Sequence, residues 1–188
     1  MRGQGISAAI RGEQVSDETR VRAAARLRSL WRWEAANVLL LPTFALLLLR
    51  SNRSELGLPS ASGLALCSAE LAIGSAYWYL KLRQLTAGTM EQPLPGVQWF
   101  RLARNVMAVL LVLGAPAWLV PAVRGVGDVG VAIGAAAWTL ALLEHLNYFH
   151  RQLMHDTRAD VRRLLSTRHL RRSFLALDLA RADERGTS

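Results

Sequence analysis

Lysine, cysteine and the sequence marks of soluble catalysis are nearly absent from this chain. Lys81 is the sole lysine among 23 basic residues in a length of 188; the others are arginine. Cys67 is the sole cysteine, which rules out an internal disulfide and any C-x-x-C redox or zinc pair. There is no Gly-rich phosphate loop after a strand, no G-x-S-x-G elbow and no H-E-x-x-H helix. Nucleotide, acyl-transfer and zinc-protease chemistries therefore have no footing in motifs. A cleavable leader is not expected, because the first apolar block follows about thirty polar residues and lacks a small-residue cleavage site.

What the chain does have is apolar residues, 52% of the whole, and positive charge, a net +9. The two are segregated into four apolar blocks with arginines between and beyond them. That is the pattern of a membrane protein rather than of a soluble basic domain. The expected fold is all-α: an integral membrane protein with four transmembrane helices plus amphipathic N-terminal and C-terminal cytoplasmic helices. The spans fall at about 33–49, 61–80, 105–123 and 129–150. The first is short for a ~30 Å hydrocarbon core, so its ends should snorkel or thin the bilayer. Pro42 interrupts it, and Gly114, Pro116 and Pro121 make the third irregular. Basic residues cluster before Glu34, over 81–104 and from Arg151 onward. Only Arg50, Arg53 and Arg124 fall on the other side. Both termini are then expected in the cytoplasm, with the spans in the plasma (inner) membrane. The Arg, Ala and Leu usage suggests a bacterial genome rich in G and C.

Three regions follow. Residues 1–32 form an N-terminal cytoplasmic segment, loose to about residue 20. Its second half reads as a basic amphipathic helix from Asp17, a candidate cap, to Trp31. Such a helix suits an anionic leaflet or the protein's own cytoplasmic end. Residues 33–150 are the transmembrane domain, with 84–100 its longest internal loop. Residues 151–188 are a basic cytoplasmic tail. Val161, Leu164 and Leu165 make one apolar patch; Leu170, Phe174 and Leu177 make another after a Thr167 cap. That fits two short amphipathic helices and a frayed end. The fourth span is expected to continue unbroken to His155, with Leu146, Phe149 and Leu153 toward lipid. The partners implied are the bilayer, anionic headgroups at both basic extensions, a second copy of the chain, and a protein at the cytoplasmic face. Nucleic acid is not expected, since no aromatic platform accompanies the arginines.

Ionisable residues inside spans are costly unless they face protein or water, so they are the functional pointers. Glu70 lies near the middle of the second span, with Gly74, Tyr77 and Lys81 on its face. A carboxyl there pairs, is protonated, or lines a wet cavity. Glu34 and Asn37 stand three apart in the first span, and Glu144 and Asn147 repeat that spacing in the fourth. Residues three apart share a helix face. The candidate ligand- or ion-binding cluster is therefore Glu34, Asn37, Glu70, Tyr77, Arg104, Asn105, Glu144, Asn147 and Tyr148. Arg104 is the natural partner of Glu34 or Glu144 by charge. The bland alternative is a ring of caps and ion pairs that fixes helix register.

No metal or cofactor is expected. A di-iron bundle needs Glu-x-x-His, but asparagine follows both Glu34 and Glu144 at that spacing. His145 and His150 lie far apart around an ideal helix. Trp31, Trp33, Trp78 and Trp99 look like interfacial anchors, and Cys67 like a packing residue. The first functional reading is a membrane scaffold or regulatory subunit rather than an enzyme. The alternatives are a small transporter or channel using Glu70 and the Glu34/Arg104/Glu144 cluster, or a lipid-modifying enzyme.

Overall fold

The computed structural model describes residues 3–153 and 172–186, with side chains from 17 to 153 and from 172 to 184. The described residues are helical apart from loops and one antiparallel bridge, Arg151 to Arg172. Helix α1 is Gly3–Ser51, α2 is Leu58–Ala87, α3 is Val97–Val123, α4 is Val129–Phe149 and α5 is Phe174–Gly186.

Three helical segments are long and apolar enough to cross a membrane: Asp17–Ser51, Val97–Val123 and Val129–Phe149. Helix α2, expected as the second span, does not reach that apolarity. The reason is its position. It packs on α1, α3 and α4, and most extensively on α4 and α1. An enclosed helix has little need of lipid-compatible side chains, and α2 buries Ser60, Gly63, Cys67, Glu70, Gly74, Tyr77 and Gln84. The outward faces of α1 and α3 are bare and apolar, with Leu39, Phe44, Leu47, Val109, Val112 and Leu113 exposed.

Helices α2 and α4 run parallel through a seam of small residues. A Cβ on Gly63 would lie 2.5 Å from the Gly134 carbonyl oxygen, and one on Gly134 would lie 2.4 Å from the Pro59 oxygen. The backbones meet there because no side chain intervenes, as small-residue pairs allow. On α4 the buried stripe is Gly130, Gly134, Ala137, Ala141, His145 and Tyr148. Steps of three and four keep that stripe facing one neighbour. Helix α1 runs antiparallel to α2: Ser75 Oγ donates to the Trp31 carbonyl at 3.1 Å and Ser68 Oγ to the Val38 carbonyl at 3.5 Å. Trp138 of α4 donates to the Leu111 carbonyl of α3 at 2.8 Å.

Several expected boundaries move. Helix α1 is continuous through Asp17, Arg32 and Pro42, so the basic segment is a coaxial extension of the first apolar stretch. No glycine separates Asp17 from the apolar block, and its residues are good helix formers. Arg20 of that extension donates to the Leu85 carbonyl at 2.9 Å, so it leans on the end of α2. Helix α2 continues past Lys81 and Arg83 to Ala87, where Gly88 turns at φ 72°. Helix α3 starts at Val97, after Gly96 at φ 71°. Glycine in that left-handed region stops a helix; charge does not. Helix α4 ends at Phe149 instead of running to His155. The Asn147 side chain accepts the Leu153 N–H at 2.9 Å, drawing the chain back. Phe149 is buried rather than lipid-facing.

The described part of the tail, 172–186, carries a helix where the second amphipathic one was expected, and it packs on the bundle. Ser173 caps α5, its Oγ accepting the Ala176 N–H at 3.1 Å. The buried face of α5 carries Leu175 and Leu179, which pack with Tyr77, Leu94, Phe100, Tyr148 and Phe149. Phe174, expected on the buried patch, is exposed instead. The expected Thr167 cap, Leu170 and the helix at Val161, Leu164 and Leu165 lie outside the described residues.

Candidate functional site: an acidic cluster between α1, α2 and α4

The absence of a side chain at Gly74 creates the site. A Cβ there would fall 2.1 Å from both Cζ and the hydroxyl of Tyr148, and 2.5 Å from Glu34 Oε2. The phenol of α4 and the carboxyl of α1 thus meet over bare backbone of α2. Four residues on, one turn further along the same face, Trp78 donates its indole N–H to Glu34 Oε1 at 2.9 Å. Glu144, one turn before Tyr148, bears on the same phenol and on Asn147. One O–H thus sits between two carboxyl groups and can donate to only one of them.

A turn deeper, Glu70 is wholly buried and faces His145, whose Nδ1 is 2.8 Å from Glu70 Oε1. Glu70 and Glu144 are close enough to act on each other electrostatically, as are Glu144 and Glu34. In all three glutamates Oε2 is buried without a well-formed hydrogen bond. Among the described residues no lysine or arginine pairs with any of them. Among the described residues, the ring positioned to carry a positive charge against them is His145. The arrangement therefore holds three carboxyl groups, one phenol and one imidazole, with acceptors in excess of donors.

The other sequence candidates go elsewhere. Tyr77 lies in the adjoining cluster, donating its O–H to Asp178 Oδ2 of α5 at 2.9 Å. Lys81 Nζ holds the same carboxyl at 2.9 Å. Arg104 bonds its neighbour Asn105 at 3.3 Å and pairs with neither Glu34 nor Glu144. Its charge acts instead on His150. Asn147 spends its side-chain oxygen on Leu153, and Asn37 is half-buried one turn along α1 from Glu34. Three residues that sequence reasoning left out belong to the assembly. His145 partners Glu70, Trp78 serves Glu34 rather than the interface, and Asp178 ties α5 to α2. The small-residue stripe of α4 was the available signal for His145, which sits in register with Ala137 and Ala141.

A cavity of about 40 Å³ lies against the cluster on the α5 side, walled by Trp78, Tyr148, Asn147, Ser173 and Leu175. Arg26, Leu30, Tyr77, Trp78 and Phe174 also line a wider apolar groove of about 230 Å³ between α1, α2 and α5. Trp78 and Tyr148 therefore stand between that approach and the carboxyl groups. Among the described residues no three His, Cys, Asp or Glu side chains are grouped so as to hold a metal ion.

Fold and site together define a helical protein with three membrane-length apolar helices and an interior acidic cluster. Comparison with protein families, curated proteins and solved structures finds no match to the chain.

Proposed function

We propose that the protein is a four-span inner-membrane transporter or channel that moves protons, with Glu34, Glu70, Glu144 and Tyr148 as its site and both termini cytoplasmic. The observation that carries this reading is a set of three glutamates from three helices, each with a buried Oε2 that lacks a well-formed hydrogen bond and, among the described residues, with no lysine or arginine against it. Taking a charge out of water costs several kcal/mol per ion, about what a well-made partner returns. Register-fixing ion pairs would be mutually satisfied, and here no arginine or lysine among the described residues arrives. Like-charged groups so desolvated persist only when protons or a passing cation neutralise them. Proton binding accounts for the set without requiring ligand geometry for a metal.

The fourth crossing is supported by registry. Helix α2 follows α4 in parallel from Gly63–Gly134 to Gly74–Tyr148 and follows α1 in antiparallel. A helix so enclosed shares the depth of its neighbours, whatever its own hydropathy. The basic segments at the α5 end support the cytoplasmic assignment of that end. A bacterial origin, a scaffolding role for the basic tail and lipid-modifying chemistry have no geometric observation in their favour.

The test is proton flux into proteoliposomes of the full chain under an imposed inside-negative potential, read with a lumenal pH dye. Wild type is expected to acidify the lumen faster than empty vesicles. Glu34→Gln and Glu144→Gln are expected to lose on the order of tenfold or more of that flux, with insertion unchanged. Wild-type flux equal to that of empty vesicles overturns the proposal.

A further inference from the structure

We propose that Glu70, His145 and His150 form a proton relay that connects the deepest carboxyl of the cluster to solvent at the α5 end of the bundle. The relay rests on the proton-moving reading above and gives it a route.

Glu70 is wholly buried, and its hydrogen-bond partner among the described residues is the Nδ1 side of His145. An imidazole has a second nitrogen on the far side of its ring. It can accept a proton at one nitrogen while losing one from the other. The His145 ring lies 5.7 Å, centre to centre, from the ring of His150, at an interplanar angle of 53°. That is a separation one water molecule spans. His150 is exposed, so the third member reaches solvent.

The pairing of the two histidines is not a helical one. Five residues apart, they would project about 140° apart on an ideal α-helix. They meet because α4 stops at Phe149. His150, with φ −129° and ψ −69°, has left helical geometry and returns its ring toward His145. The hydrogen bond from the Leu153 N–H to Asn147 and that from the Ser173 N–H to the His150 carbonyl, at 3.4 Å, hold this turn. The helix ending thus has a consequence for the site that the tail helps to maintain.

Among the described residues, charged and titratable groups bear on the relay from α1, α2, α3 and α4. Glu144 of α4 acts on Glu70 and is itself acted on by Glu34 of α1. Cys67 of α2 lies within electrostatic reach of both Glu70 and Glu144. Arg104 of α3 acts on His150. Asp178 of α5 is turned away, held by Tyr77 and Lys81. When Glu70 gives up its proton to Nδ1, another leaves from Nε2 toward His150. The ring changes tautomer and Glu70 is left as carboxylate. The reverse transfer, Nδ1 returning its proton to Glu70 as Nε2 takes one from the His150 side, resets it; a second proton in the same direction needs the ring to turn over while the cluster reprotonates Glu70.

Isotope-labelled histidine in the full chain, reconstituted in vesicles, gives solid-state NMR access to the His145 ring, because the chain has only 4 histidines. Its signals are assigned by their loss in His145→Gln. The quantity to read is the rate at which the His145 ring proton exchanges with bulk water. His150→Ala is expected to slow it by on the order of tenfold or more, and imidazole added to the buffer to restore it. An exchange rate unchanged in His150→Ala overturns the relay. Slowing that imidazole does not reverse also overturns it, because it marks a structural role. Net transport is not needed for this reading. Intact exchange beside absent vesicle flux would sink the transport proposal and leave the relay standing.

Discussion

Glu70 and His145 illustrate how much a single buried contact can carry. Each is nearly inaccessible, and each is the other's polar partner. Removing one partner leaves the other desolvated and unmatched, which costs about 3–5 kcal/mol for a buried pair; removing both with apolar residues of similar size is often close to neutral. His145→Leu alone is therefore expected to destabilise the protein by about that amount, and Glu70→Leu combined with His145→Leu by much less. Unfolding in mixed detergent, analysed as a double-mutant cycle, reads the coupling. Additive losses would mean the two side chains do not act as a pair. At Gly74 the argument is steric. Gly74→Ala would push a methyl into the Tyr148 phenol and the Glu34 carboxyl. Overpacking of this kind costs about 1–3 kcal/mol. Here it should also impair proton flux, since it displaces Tyr148 from between its two carboxyl neighbours.

Among the elements, the α2–α4 seam sets the registry on which the site depends. The glycines of this chain separate by what surrounds them. Gly63 and Gly134 lie against backbone that cannot yield, whereas a Cβ at Gly127 meets nothing within 4 Å. Gly63→Ala and Gly134→Ala are each expected to cost about 1–3 kcal/mol, and Gly127→Ala to fall within about 0.5 kcal/mol of wild type. Comparable losses at all three, measured by the same detergent unfolding, would mean the seam is not a close backbone contact. This registry also explains what the sequence could and could not reveal. All four bundle helices are visible in the sequence as apolar blocks, three of them apolar enough to cross a membrane, and Glu34, Glu70, Glu144 and Tyr148 are visible as polar groups inside them. The span placed at 61–80 lies within a longer helix, because charge at Lys81 and Arg83 does not stop a helix. The stop is the backbone at Gly88. The contact between Glu70 and His145 spans 75 positions and depends on how far α2 slides along α4. No local pattern encodes that slide; the glycine contact does. The same holds for α5, whose anchor Asp178 is one acid among many until Tyr77 and Lys81 are placed beside it. Asp178→Ala is accordingly expected to undock α5. In a Cys67→Ala background carrying Leu175→Cys, alkylation of the buried position should then quicken on the order of tenfold or more, because the free energy of opening falls by the lost charge-assisted bonds, about 1.5–3 kcal/mol.

At the scale of the whole molecule, the question is how a bundle with three membrane-length apolar helices would sit in a bilayer. The outward faces of α1 and α3 expose leucine, valine and phenylalanine in continuous array. Water would not tolerate so large an apolar surface on a monomer, and lipid would. Helix α1 as a whole is about 73 Å long at 1.5 Å per residue, more than twice a ~30 Å core. It must therefore project well beyond the membrane on one side. Its projecting part is the arginine-bearing half, which rests on the end of α2 through Arg20. The 51–57 and 124–128 turns lie at the opposite end, with Arg50, Arg53 and Arg124 as their basic residues. A Cys67→Ala chain carrying either Ser54→Cys or Gly127→Cys is thus expected to react with a membrane-impermeant maleimide in intact cells. Thr89→Cys should react only after the cells are opened. The two turns must agree, because α2 lies between them and Thr89. Labelling of Ser54→Cys and Thr89→Cys from the same side would mean α2 does not cross, and the acidic cluster would then lie outside the barrier it is proposed to serve.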